Sequence, residues 1–125
     1  MKRIIFLFVL LFSVAGANAQ VAEVAVNPNQ ERAHAYALSM QKQLGLTAEQ
    51  TTQIEAIFLA KITAIEVVNA DAAKTQEQKD AEIVQIRSEK EKELQSLLTP
   101  DQLIKYNQIR ADRKARKEAA GQTGE

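Results

Sequence analysis

Few residues in this 125-residue chain could do chemistry. There is no Cys to serve as a nucleophile or soft metal ligand, and the one His is His34. A single imidazole cannot build the His-rich set of a typical zinc enzyme. Glu31 lies three positions before it, a spacing that lets both side chains face one ion from a helix, and Met40 sits on another part of the same stretch. A solvated or half-buried His on an amphipathic helix needs no ligand to explain it. The expectation is therefore no metal and no cofactor. Ser39, Ser88 and Ser96 fall inside predicted helices rather than on strained turns, and no Gly-rich phosphate loop occurs. The chain reads as a protein that is not an enzyme.

What remains is a stripe of cations. Arg110, Arg113, Lys114 and Lys117 follow i, i+3, i+4, i+7 spacing, which places them on one helix face. One reading is a solvated C-terminal helix whose cations oppose the negative end of the dipole. The other is a surface for anionic partners: acidic segments of unfolded chains, lipid head groups or lipopolysaccharide. No aromatics interleave with the cations, so nucleic acid is not an expected partner.

The elements that must carry these residues begin after a leader. Met1-Lys2-Arg3 is basic, Ile4 to Val14 is an almost unbroken apolar run, and Ala17-Asn18-Ala19 supplies the small residues that a signal peptidase accepts. Residues 1–19 therefore read as a signal peptide cleaved after Ala19, and the expected destination is a bacterial periplasm. No Cys near the site allows lipid attachment, and no second apolar run predicts stable membrane insertion. Removing Lys2 and Arg3 with the leader leaves 14 cationic side chains against 16 acidic ones, a net of −2. Three of the four Phe residues also leave, so Phe58, Tyr36 and Tyr106 are the remaining aromatics. So thin a core predicts burial against a partner subunit, hence a homodimer.

Residues 20–26 read as a flexible arm and 27–118 as one helical domain, with 119–125 a disordered tail. Asn27-Pro28 opens a first helix with a capping residue and a Pro at the first position. Tyr36, Met40 and Leu44 line one of its faces, and Gly45 ends it. Thr47 and Gln50 form a capping box for a second helix carrying Ile54, Ile57, Phe58, Ile62, Ile65 and Val68. Ile83, Ile86, Lys90, Leu94 and Leu97 mark a third, with Arg87/Glu91 and Glu89/Lys92 at pairing distance along its outer face. No Gly or Pro separates these two helices. A continuous helix there would span roughly 75 Å at about 1.5 Å per residue. The apolar stripe stops and restarts, however, which favours a turn near 69–75 with Thr75-Gln76-Glu77-Gln78 recapping the chain. Thr99-Pro100-Asp101-Gln102 opens the fourth helix, with Leu103, Tyr106 and Ile109 facing inward. The predicted class is all-α, with four helices in two hairpin units.

One phrase occurs twice in this layout. Leu46-Thr47-Ala48-Glu49-Gln50 returns as Leu98-Thr99-Pro100-Asp101-Gln102, with Gln43 matching Gln95, Ile54 matching Tyr106 and Ile57 matching Ile109. The Thr and Gln positions are helix-starting residues, and the leucines beside the helix ends are packing points.

A leader followed by a small helical chain with two Leu-Thr-x-x-Gln phrases resembles the Spy/CpxP family of periplasmic proteins, over roughly Asn27 to Lys117. The resemblance implies a helical-hairpin protomer that dimerises into a thin, curved, antiparallel cradle. It makes Leu46, Thr47, Gln50, Leu98, Thr99 and Gln102 the motif residues. Family members include an ATP-independent chaperone for unfolded client proteins, an inhibitor of an envelope-stress sensor kinase, and metal-responsive relatives. The His-rich or Cys-containing segments of the metal-responsive branch do not occur here. The chain also departs from the best-known chaperone in being slightly acidic rather than clearly basic. The expected function is thus client binding in the envelope stress response, with docking on a sensor-kinase periplasmic domain as the alternative.

Overall fold

The computed structural model describes residues 26–121; the expected signal peptide (1–19), most of the expected arm (20–26) and residues 122–125 lie outside them. The described residues form four helices and no strand: α1 (Pro28–Leu44), α2 (Ala48–Ala70), α3 (Gln76–Ser96) and α4 (Pro100–Gly121). The fold class is all-α, as the patterning predicts. The last helix runs to Gly121, so residues 119–121 are helical rather than part of a tail starting at 119.

Each start and stop has a local cause. The Asn27 side chain accepts from the Asn29 amide, 3.0 Å away, with Pro28 at the first helical position. Gly45 ends α1 in the left-handed conformation at φ 65°, and its amide donates to the Gln41 carbonyl. A Cβ there would meet nothing within 4 Å, so the demand for Gly is conformational rather than steric. The turn between α2 and α3 covers residues 71–75. The Asp71 carboxylate accepts from the Ala73 amide, Lys74 reaches Asp71 and Glu82, and Thr75 with Gln78 forms a complete capping box. The chain therefore turns where the apolar stripe lapses, and no single long helix forms.

Short connections make α1 and α2 antiparallel, which brings His34 to Glu55 and Asn29 to Glu66. The α2–α3 pair is antiparallel as well, and α4 folds back against the C-terminal half of α1. The main core gathers Ala37, Met40, Leu44, Leu46, Ile54, Leu94 and Tyr106 at the junction of the four helices. Tyr36, Leu97, Leu98, Leu103 and Ile109 pack around it, half-buried. Ala33 and Ala37 are fully buried on α1, small side chains at the surface that faces its neighbours. Ile54 is the largest fully buried side chain, so the core is as thin as the aromatic content suggests. Elsewhere cover is sparse. Leu94 is the only buried residue of α3, and Val84 on its surface is 65 % exposed.

Candidate functional site

The two Leu-Thr-x-x-Gln phrases meet in space. Each first does its local work. The Thr47 hydroxyl accepts from the Gln50 amide at 3.1 Å while the Thr47 amide donates to Gln50 Oε1 at 3.0 Å. Thr99 and Gln102 repeat this at 3.3 and 3.0 Å. A capping box uses only the carbonyl oxygen of the Gln side chain, which leaves its two Nε2 protons free to act elsewhere. Gln50 Nε2 donates to the Leu97 carbonyl at 2.8 Å and to Gln102 Oε1 at 2.9 Å. Gln102 Nε2 donates to the Gly45 carbonyl at 3.3 Å and to Gln50 Oε1 at 3.2 Å.

The arrangement is reciprocal, because Gly45 stands to Leu97 as Gln50 stands to Gln102 in the repeat. Each side-chain amide crosses to the other hairpin and takes a carbonyl left open at a helix end. A Glu would serve the box equally well but has no donor for the crossing. The clasp thus explains why the phrase carries Gln. Thr75 and Gln78 make the comparison, since they form a box with no crossing bond. The leucines differ in depth: Leu46 is buried in the core, and Leu98 is half-buried against it.

The cationic stripe lies on α4 as the spacing predicts, but its members are not equivalent. Arg110 sits over the Tyr106 ring and donates to Glu91 at 2.8 Å. Lys114 lies 3.9 Å from Glu118. Arg113 and Lys117 make no ion pair among the described residues. With Tyr106 these four cations surround a shallow recess of about 320 Å³. From Ala111 to Gly121 every residue is exposed, and Arg113 at the start of this stretch still borders Met40, Gln43 and Leu44 of α1.

Glu91 corrects the expected surface pairing. It does not bond Arg87 one turn earlier. Its Oε1 instead takes Arg110 and Gln95, and its Oε2 accepts from the Tyr106 hydroxyl at 3.0 Å. Burial raises the Tyr106 phenol far above its ordinary pKa, and Tyr36 and Glu91 push the same way. Tyr36 is also raised, by burial first, with the Tyr106 bond acting against it. This polar knot joins α3 to α4. Its signal in the sequence is faint: a lone Tyr on an inward face, opposite a Glu whose local partner is optional.

His34 is exposed, and its Nδ1 lies 2.8 Å from Glu55 Oε2 on α2 rather than on Glu31. Glu31 borders the same recess without joining them. Met40 is in the core. Among the described residues no group of three or more His, Cys, Asp or Glu side chains is placed to hold a metal ion. No helix among the described residues is long and apolar enough to cross a membrane.

No family model matches this chain, and neither does any curated protein or solved structure.

Proposed function

We propose that this protein is an exported, ATP-independent binder that holds unfolded or misfolded client chains in a bacterial envelope. The observation that supports it most is the exposed half of α4, where Arg113 and Lys117 make no ion pair among the described residues, on a stretch of helix whose side chains are all exposed. Val67, Val84 and Ile104 add large exposed apolar side chains on α2, α3 and α4. Unfolded chains offer acidic segments beside apolar ones. Mixed contacts of this kind are individually weak, which suits a protein that must release its client without nucleotide. The resemblance carried by the two Leu-Thr-x-x-Gln phrases points the same way. In this reading the clasp holds the hairpins together and the surfaces bind. The thin core favours a homodimer in which part of the exposed apolar surface is covered.

The test is the aggregation of a chemically denatured enzyme, with and without the purified protein at stoichiometric ratio and without nucleotide. Aggregation should fall at low salt and recover as salt screens the cations. An unchanged aggregation curve at low salt would remove this reading. A pull-down of one saturable envelope partner with no effect on aggregation would favour a docking module for a sensor kinase. The mass of the native particle decides the dimer.

A further inference from the structure

A cleft of about 450 Å³ opens between α2 and α3, bordered by α1 and α4. Its volume is within the range of about 300–1,000 Å³ typical of small-molecule sites. Half-buried Ile57 and Phe58 and buried Leu94 give it an apolar wall. The Phe58 ring stacks on Tyr36 at 4.0 Å between centroids, which fixes the wall in place. Four cations border the same space, and two of them are already engaged: Arg110 with Glu91, and Lys90 with Glu93. Lys61 and Arg87 make no salt bridge among the described residues.

The Lys61 ammonium lies 4.2 Å from the Phe58 centroid. Burial lowers its pKa; the negative charge of Glu91 opposes this, and the positive charge of Arg87 adds a smaller lowering. Glu91 is the one carboxylate of the lining; its charge acts on Lys61, but its oxygens already accept from Arg110, Gln95 and Tyr106. Two cations beside an apolar wall, sharing one carboxylate that already bonds three other groups, suit an anion attached to an apolar body.

We propose that this cleft binds an aliphatic carboxylate, its head group held by Lys61 and Arg87 and its chain laid against Ile57, Phe58 and Leu94. A carboxylate between the two cations gives each a charge-assisted bond, and Arg87 can bind it with two parallel N–H donors. The chain covers apolar wall that now faces water. This assignment is independent of client holding and stands or falls separately from it.

The experiment is calorimetric titration of the purified protein at low salt with decanoate below its micelle concentration, alongside decanol and acetate. Saturable decanoate binding is expected, with decanol and acetate each weaker by about tenfold or more, since each lacks half of the recognition. Lys61→Gln and Arg87→Gln should each weaken decanoate by about tenfold. Lys92→Gln, an exposed cation outside the cleft, should leave it unchanged. Arg87 is exposed and makes no side-chain bond among the described residues, so its variant reports on binding even if Lys61→Gln disturbs folding. Nuclear magnetic resonance of the Lys61 side chain should show its pKa rising when decanoate is bound. Equal binding of decanol would reduce the cleft to an apolar patch. Equal binding of acetate would reduce it to a general anion site. Either result, the absence of saturable decanoate binding, or wild-type affinity in the Arg87 variant overturns the proposal.

Discussion

Replacing Gln102 by Glu separates the clasp from the capping box. The carboxylate can still accept from the Thr99 amide, so the cap survives and gains from the positive end of α4. The two bonds from Nε2, to the Gly45 carbonyl at 3.3 Å and to Gln50 Oε1 at 3.2 Å, are lost. A net hydrogen bond contributes about 0.5–1.5 kcal/mol, and a partly buried acceptor left without its donor adds to the loss. Gln50 Nε2 keeps a bond to the new carboxylate, which offsets part of this. The expected cost is about 2 kcal/mol. In a domain of this size that lowers Tm by about 8–16 °C. Gln78→Glu is the internal control, because Gln78 occupies the same position in a box with no crossing bond. It should change stability by no more than about 0.5 kcal/mol. Thermal and urea unfolding followed by far-ultraviolet circular dichroism measure both variants. Equal stability of the two variants would refute the clasp and reduce Gln102 to a capping residue.

Other outcomes follow from the same structure. Gln50→Ala and Gln102→Ala, combined in a double-mutant cycle, should show a coupling of about 1 kcal/mol, and strict additivity would contradict the reciprocal bonding. Thr75→Ala should lower stability by about 1 kcal/mol through loss of the α3 cap, as read by urea midpoint. Tyr106 holds its proton in the folded state well past the pH, about 10, at which it loses it when unfolded. The unfolded state therefore binds fewer protons, and stability, intact below that pH, declines as pH rises beyond it. Tyr106→Phe should flatten that alkaline decline in a pH series of urea midpoints, and an unchanged slope would move the effect to other groups. Arg113→Glu with Lys117→Glu should weaken the holding of a denatured client while leaving helicity unchanged. Full holding by that variant would return the stripe to a solvated face.

Much of the fold was legible because its signals are local. Asn27-Pro28, Gly45, Thr47 with Gln50, Thr75 with Gln78, and Thr99-Pro100 act within a turn of helix, and each stands where its residue types say. Even the turn at 71–75, with no Gly or Pro to mark it, showed in the lapse of the apolar stripe and the box that follows. Contacts between helices were harder. The equal spacing of the repeated phrase is compatible with two separate caps and with one clasp, and only the fold brings Gln50 to Gln102. Glu91 had a partner one turn away in Arg87, yet tertiary packing delivered Arg110 and Tyr106 to it instead. Ala33 and Ala37 carry no strong hydrophobic signal, but both are completely buried in the packed α1 face. The cleft at Lys61 was invisible for the same reason, since its walls come from side chains on four different helices.

The central claim is that the exposed surfaces of these helices bind unfolded chains. Its most direct test is the fluorescence anisotropy of a labelled, permanently unfolded polypeptide titrated with the purified protein at low salt, without nucleotide. Saturable binding that weakens as salt is raised, and that falls in the Arg113→Glu, Lys117→Glu variant, is the predicted result. An anisotropy that never rises above that of the free polypeptide would contradict the account.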